Sequence, residues 1–189
     1  EIILHLPLQA SSRLAAAESN TLTESMNENQ ITLNTVAMLS EFPNIKGINN
    51  HMGSHLTEIS YFMRPIMESI KAYRSQLYFL DSVTTSRSVA HIEAINSGLD
   101  SVKRDVFLDN EHTNPESIKF QFDLWLDKAR DTGSAVAIGH PHPETIAFLT
   151  ENLPLFEKNF RFMRLSELIS AAKTASRSLE PQAYLTNFE

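Results

Sequence analysis

Short apolar runs alternate with longer amphipathic stretches along most of this chain. The runs have the length and apolar character of buried strands. The strands predicted in this way are Ile2–Leu6, Ile45–Asn49, Leu77–Leu80, Val102–Leu108, Ala135–Gly139 and Phe160–Met163. Because a strand, a helix and a second strand form a right-handed βαβ unit, the alternation predicts a parallel sheet. Both a barrel and a doubly wound sheet fit it.

The amphipathic stretches between these strands predict helices. From Ile59 to Tyr73, apolar residues three and four positions apart form one face, which indicates a core helix. A second helix has clear ends, because Asn114 can cap it, Pro115 suits its first position and Gly133 ends it. The other predicted helices are Gln30–Glu41, Ser88–Gly98, Glu144–Lys158 and Ser166–Ser176.

Composition narrows the classes of protein that fit this pattern. The chain has 189 residues, 42% of them hydrophobic and 21% charged, and we predict a single domain over residues 1–189. A formal net charge of −7 without a Lys/Arg cluster argues against a nucleic-acid partner. The absence of cysteine excludes disulfides and thiolate metal sites. No apolar run reaches the roughly 18 residues of a membrane span, so we predict none in this chain. The polar segment Gln9–Asn29 is predicted to be a long loop.

Polar side chains fall at or just beyond the carboxyl end of five of the six predicted strands. They are His5, Asn49 to His51, Asp81, Asp109 and His140. In a parallel α/β barrel these strand ends converge on one rim, where active sites are built, whereas purely structural residues have no reason to favour it. The pattern therefore predicts one site at such a rim.

The segment GINNHMGSHLTE, residues 47–58, places His51 and His55 four positions apart around a glycine. On a helical turn this spacing brings both rings to one side, within reach of one metal ion, and neutral imidazole is a common ligand. A stable site generally needs a third protein ligand. The alternative is that His51 hydrogen-bonds a neighbouring loop and His55 faces solvent.

The segment AIGHPHPET brings a second pair of histidines to a predicted strand end. Pro141 and Pro143 restrict the backbone around His142. A rigidly held His140 could act as a general acid to a leaving group, since histidine titrates near neutrality. The alternative is that the prolines only set the turn before the next helix and both histidines are solvated.

Carboxylates accompany these histidines in the segments YFLDS and KRDVFLDN. Asp81 and Asp109 each follow an apolar strand, and a carboxylate beside a histidine commonly orients the ring. Asp105 lies inside a predicted strand, where a charge must be paired or line the site. The alternative for Asp105 is an ion pair with Arg104 or Lys103 at the edge of the sheet.

A further histidine, His5, ends the first predicted strand in LHLPLQ, where it could bind substrate, bind metal or cap the following loop. Four further segments follow LHLPLQ along the chain: GINNHMGSH, YFLDS, RDVFLDN and AIGHPHPET. In their order and spacing, these segments resemble the divergent polysaccharide deacetylase family. That family is a branch of the metal-dependent carbohydrate deacetylases. The resemblance covers Ile2 to about Leu168, and NNHMGS and FLDN are its most specific stretches.

The resemblance implies a distorted, incomplete (β/α) barrel, a periplasmic or secreted location, and metal-assisted removal of acetyl groups from N-acetylated sugars. It implies that His51 and His55 are ligands of a divalent ion, expected to be zinc, and that His140 is the general acid. Within that chemistry we expect catalytic support from Asp81 and Asp105. Contacts to a glycan substrate are expected from His5, Asn49, Asn50, Arg104, Asp109 and His142.

The family also begins with a strand that ends in two aspartates, one a metal ligand and the other the general base. No such pair precedes Ile2. We therefore expect either that the first βα unit is missing from this chain, leaving one parallel sheet curled into an open barrel, or that the family's chemistry cannot run here. The rival hypothesis is a catalytically inactive deacetylase-like barrel that binds a glycan or an envelope protein, with binding that survives chelation.

Overall fold

Parallel strands alternate with helices in the computed structural model, which describes residues 1–12 and 20–178. The strands are β1 (Ile3–Leu8), β2 (Gly47–Met52), β3 (Tyr78–Asp81), β4 (Asp100–Lys103), β5 (Val106–Phe107) and β6 (Ala137–Ile138). The first four form one parallel sheet in chain order, and β5 pairs with β6 in a second parallel sheet. The predicted parallel α/β class is confirmed, and the sheets are not closed into a barrel.

The predicted helices are confirmed, with ends that differ from the predicted ones by no more than two residues. They are α1 (Glu28–Glu41), α2 (Ser60–Tyr73), α3 (Ala90–Asn96), α4 (Pro115–Thr132), α5 (Pro143–Phe156) and α6 (Leu165–Ser178). The Asn114 side chain accepts two backbone N–H groups at the start of α4, and left-handed Gly133 ends it. The predicted loop before α1 ends at a capping box of Asn27 with Gln30, and residues 13–19 of that loop lie outside the described part.

The prediction of one strand over Val102–Leu108 is wrong, because the chain changes neighbours inside it. The Arg104 N–H donates to the Asp81 carbonyl (2.9 Å), whereas the Asp105 N–H donates to the Val136 carbonyl (2.8 Å). The strand β4 therefore stays with β3, and β5 joins β6. The sheet is interrupted between them where one continuous curled sheet was expected.

The prediction of a strand at Phe160–Met163 is also wrong, since these residues pair with no described strand. Phe160 and Phe162 instead pack against an apolar core beside α4. The Trp125 and Phe162 ring centroids are 5.5 Å apart. Alternating apolar side chains here reflect burial of side chains and not a backbone ladder.

Two apolar cores support the strand ends. The larger lies between the four-stranded sheet and helices α1 to α3, and it buries Leu39, Ile66 and Phe79 completely. The smaller lies around β5, β6, α4 and α5, with Phe122 at its centre and Phe148 and Phe156 against it. The four-stranded sheet therefore packs on the larger core, and the two-stranded sheet packs on the smaller one.

Candidate functional site

Two groups of polar residues lie in or after the carboxyl-terminal halves of the strands. The first, which we call the His51 network, consists of His5, Asn49, Asn50, His51 and Ser82. The second, the His140 cluster, consists of Asp109, His112, His140, His142 and Thr145. The first stands on the four-stranded sheet and the second on the two-stranded sheet.

The His51 network is held by the register of β1 against β2. β1 continues to Leu8, so His5 lies inside the strand opposite Asn49, and the expectation that it ends the strand is wrong. His5 Nδ1 is 3.0 Å from Asn49 Oδ1, and His5 Nε2 is 2.9 Å from His51 Nδ1. The two rings meet edge to face, with centroids 4.6 Å apart.

The amide groups of Asn49 and Asn50 are buried and used within the protein. Asn49 Nδ2 donates to Ser82 Oγ (3.1 Å). Asn50 Oδ1 accepts the Ser82 N–H (2.8 Å), and its Nδ2 donates to the Met52 carbonyl (2.8 Å). Both asparagines were expected to contact substrate; that stays a prediction, and their observed contacts join the ends of β2 and β3.

The chain between His51 and His55 is a turn and not the helical turn that the spacing suggested. Met52 and Gly53 both have left-handed φ angles, 53° and 88°, and a short 3-10 helix then covers Leu56–Glu58. His55 Nε2 lies 2.6 Å from Glu24 Oε2. The two histidines thus make contacts in different directions, His51 to β1 and His55 to the segment before α1.

Asp81 stabilises the loop that follows β3. It is completely buried, and its carboxylate accepts the Val83 N–H and the Ser88 hydroxyl, both at 2.8 Å. The His91 N–H lies 3.4 Å from the same carboxylate. Its expected catalytic role stays a prediction, and its observed contacts are structural.

Arg104 and Asp105 occupy the junction between the two sheets. The guanidinium donates through Nε to the Ser82 carbonyl (2.6 Å) and through Nη2 to the Val83 carbonyl (2.8 Å). Burial lowers the pKa of Arg104, and the charges of Asp81 and Asp105 act against that shift. The Asp105 carboxylate accepts a backbone N–H at 2.8 Å, from the segment leading into β6. The roles expected for these two residues in substrate binding and catalysis stay predictions.

The His140 cluster is built around a buried carboxylate. Asp109 is 4% exposed and accepts the His140 backbone N–H, the His140 Nδ1–H (3.2 Å) and the Thr145 hydroxyl (3.0 Å). A carboxylate has only acceptor atoms, so Nδ1 of His140 carries the hydrogen of this bond. The ring is thereby oriented with Nε2 on its far side.

His142 completes a candidate metal-binding triad. Asp109, His140 and His142 each offer one ligand atom, and these atoms lie within 4.8 Å of one another. One carboxylate oxygen and two imidazole nitrogens are a donor set that divalent ions accept. The His112 ring stacks on His142 with centroids 3.9 Å apart. From the sequence, His140 was expected to be an acid and the other two substrate contacts, so no metal site was predicted at these three residues.

Residue contacts connect the two groups. The Arg104 guanidinium lies over the Phe107 ring at 5.0 Å, and the Phe107 and His140 ring centroids are 5.2 Å apart. Because Arg104 also binds the Ser82 carbonyl, a chain of contacts runs from one sheet to the other. That His51 and His140 belong to one site stays a prediction. A cavity of about 930 Å³ beside Trp125 and Phe162 contains none of the expected site residues.

Several residues of this site were missed in the sequence. Ser82 and Thr145 stand inside the motifs YFLDS and AIGHPHPET and could have been singled out as the hydrogen-bonding members of those motifs. Glu24 carried no local signal, because its contact with His55 depends on how a long loop returns to the rim.

The motifs and the fold of this chain match a known protein family. The model of the family described as divergent polysaccharide deacetylase matches residues 1–169. The chain belongs to this family. The family resemblance seen in the sequence is thereby confirmed.

Two relatives of this chain are described as uncharacterized proteins. YibQ of Escherichia coli (strain K12) is 36% identical over 170 residues, which are 90% of this chain and 52% of YibQ. A protein of Haemophilus influenzae is 32% identical over 168 residues, 89% of this chain and 59% of the relative. The chain therefore spans little more than half the length of these relatives.

A solved structure supports the fold. An uncharacterized protein of Agrobacterium tumefaciens C58 superimposes with a TM-score of 0.82 at 22% identity, over 89% of this chain and 68% of that protein. In the described part of the chain, none of the helices has the length and apolar character that crossing a membrane requires.

Proposed function

We propose that this divergent deacetylase domain hydrolyses the acetamido group of an N-acetylated glycan, of the polysaccharide or peptidoglycan type, in the periplasm or outside the cell. Family membership supports the substrate class. The observation that carries the proposal is the buried Asp109 carboxylate bound to Nδ1 of His140 at a strand end. A carboxylate–histidine pair of this kind holds an imidazole in one orientation for proton transfer.

In this proposal His140 is the general acid. Asp109 accepts from the His140 backbone N–H as well as from the ring, so the backbone and the side chain are held by the same carboxylate. Thr145 Oγ1 donates to the Asp109 Oδ2 atom and restricts the carboxylate in turn. Protonated His140 would donate from Nε2 to the nitrogen of the departing amine as the C–N bond breaks.

Two sets of side chains are candidates to hold the expected divalent ion. When bound, a divalent ion such as zinc polarises the amide carbonyl and lowers the pKa of water. His51 and His55 are the ligands that the family resemblance implies, and for His55 to bind it must exchange its contact with Glu24. Asp109, His140 and His142 already lie within ligand distance of one another. A metal ion bound to the second set would occupy His140, and His140 could then not act as the general acid. A metal ion bound to the first set leaves His140 available for that role.

We place the metal at His51 and the acid at His140. This choice is supported by the Asp109 contacts, which use both oxygens of the carboxylate within the protein and leave it suited to orienting a ring. Asn49 and Asn50 then serve to position β2 and β3, since their amides are already bound to the protein. His142 is assigned to substrate contact.

The experiment measures acetate released from N-acetylated chito-oligosaccharides and peptidoglycan fragments by the full-length, zinc-loaded protein. His140→Asn should lower kcat by about 10²- to 10⁴-fold, the usual contribution of a general acid. Zinc binding, followed by calorimetry, should persist in this variant and weaken in His51→Ala. His142→Asn is the matched comparison, and loss of a substrate contact there should raise KM while leaving kcat largely unchanged.

Three outcomes contradict this assignment. If His140→Asn and His142→Asn both abolish zinc binding, the metal sits on the triad and His140 is not the acid. If His51→Ala binds zinc as tightly as the wild type, His51 is not a ligand. If no acetate is released by the wild type while glycan binding survives chelation, the domain is the inactive binding module.

A further inference from the structure

We propose that Asp109, His140 and His142 form a second divalent-metal site, at which an additional zinc ion inhibits hydrolysis. The first ion is the one placed at His51. Binding of the second ion follows from the geometry of the three side chains alone. The inhibition rests on the proposed function, because it depends on His140 being the general acid.

A tight turn brings the two histidines of this triad together. The His142 N–H donates to the His140 carbonyl at 2.8 Å, and the φ angle of Pro141 between them is fixed by its ring. The His140 and His142 ring centroids are 5.7 Å apart. The His142 ring also stacks on His112, with an interplanar angle of 16°. The segment His-Pro-His therefore holds two imidazoles close together without the help of a helix.

Asp109 supplies the third ligand of the site. An ionised carboxylate has about four acceptor sites, and three of them accept the His140 backbone N–H, the His140 ring N–H and the Thr145 hydroxyl. One acceptor site is thereby left for a metal ion. The residue is almost completely buried, so water screens its negative charge less than it would at the surface.

The triad needs only small movements to hold an ion. Its ligand atoms lie within 4.8 Å of one another, whereas atoms about 2.1 Å from one ion are at most about 4.2 Å apart. The His140 side chain is 46% exposed and His142 is partly exposed, so both rings have room to turn. Water completes the coordination shell at zinc sites that have three protein ligands. The net charge of −7 further favours a cation.

Binding at the triad is expected to be weaker than binding at His51. When the His140 ring turns onto an ion, it gives up the 3.2 Å hydrogen bond to the Asp109 carboxylate. The free energy of that bond is subtracted from the free energy of metal binding. The triad should therefore fill only when zinc is present in excess over one equivalent.

An ion on the triad disables the proposed acid. An imidazolium carries hydrogen on both ring nitrogens, so a His140 ring bound to metal through either nitrogen cannot be one. The same ion occupies His142, which is assigned to substrate contact. Acetate release should therefore rise as the His51 site fills and fall again as the triad fills.

The first experiment titrates zinc chloride into the metal-free, full-length protein and follows binding by calorimetry. The wild type should show two events, and His142→Asn should keep the stronger one. The weaker one should lose more than the roughly 10- to 100-fold in affinity that removal of a residue behind a ligand causes. His112→Phe is the matched control, because it keeps an aromatic ring against His142 without a nitrogen ligand, and it should show both events.

The second experiment measures acetate release at saturating glycan, with zinc at one equivalent and in excess. The wild type should lose most of its kcat in excess zinc and recover it when a chelator lowers the free zinc. His142→Asn should keep the same kcat at both zinc concentrations. Saturating glycan separates this effect from the higher KM expected of that variant.

Three outcomes overturn the inference. They are a single binding event in the wild type, a second event that survives in His142→Asn, and a second site that fills without lowering kcat. Loss of the second event in His112→Phe with retention in His142→Asn would likewise assign the wrong histidine. If the two binding events behave as inferred and no acetate is released at any zinc concentration, the proposed function fails and the metal site at the triad stands without it.

Discussion

The four-stranded half and the two-stranded half of this molecule each bring a histidine to the rim, and they hold it differently. In the four-stranded half, His51 contacts the His5 ring, which in turn contacts the buried amide of Asn49 beside the Ser82 hydroxyl. In the two-stranded half, His140 is bound by a buried carboxylate. The cores differ as well, because the first half buries residues from three helices and the second rests on a small aromatic cluster.

The difference separates two uses of the same side chain. Asp109 places a negative charge beside a ring, which suits a histidine that must become an imidazolium during a reaction. In the His51 network the side chains of His5, Asn49 and Ser82 hold the ring, and a histidine that binds a metal ion does so in its neutral form. The two histidines are thus held by different kinds of side chain, in keeping with the different roles proposed for them.

The largest effect is expected from the small core. Phe122→Ala should lower the free energy of unfolding by about 3–5 kcal/mol, because the ring is buried among three other aromatic rings. Phe120→Ala, on the same helix but 60% exposed, is the matched control and should change stability by about 0.5 kcal/mol or less. Chemical denaturation measures both.

Hydrogen exchange on Phe122→Ala sharpens the comparison of the halves. Amides in α4, α5 and β6 should lose protection first, while α2 and β1 keep theirs, if the halves open separately. An equal loss throughout would contradict the division and show that the two cores unfold as one unit.

A smaller loss of stability is expected from substitution of Gly53, in the turn that follows His51. Gly53 has φ = +88°, and a Cβ there would lie 3.0 Å from both Leu8 and Thr57. Gly133, in the other half, has φ = +82° and open space around it. Gly133→Ala should cost about 1–2 kcal/mol for the left-handed backbone, and Gly53→Ala should cost about 1–3 kcal/mol more for packing. Equal losses by urea denaturation would show that the Gly53 turn is loosely packed.

The smallest effect is expected at the exposed pair beside the His51 network. The hydrogen bond from His55 lowers the pKa of Glu24 below its ordinary value of 4.5, with help from Gln9. A lowered carboxylate pKa contributes stability that is present above the ordinary value and is lost as the pH falls through the folded-state value. Glu24→Gln should therefore be slightly less stable than the wild type near neutrality and lose this difference in acid.

A double-mutant cycle checks the source of that difference. His55→Asn should remove most of it, and the double variant with Glu24→Gln should lose little more. The measurement is the free energy of unfolding by urea at several pH values below and above 4.5. A difference that stays constant into acid would mean that Glu24 acts through its shape and not through its charge.

The sequence by itself determined the elements whose physics is local. The start and end of α4 follow from Asn114, Pro115 and Gly133, because a cap or a left-handed terminus depends only on residues within one turn. The parallel direction of the strands follows from their alternation with helices. The family, and the motifs that contain His51, Asp109 and His140, could also be read without a structure.

Only the tertiary structure decided which of those residues meet. The pairing of Asp109 with His140 spans 31 positions, and that of His5 with His51 spans 46. Both depend on strand register, which no short segment of the chain specifies. The break at Arg104 and the failure of the Phe160–Met163 strand have the same origin. An apolar pattern reports that side chains are buried, whereas the backbone partner of a strand is chosen by the rest of the fold.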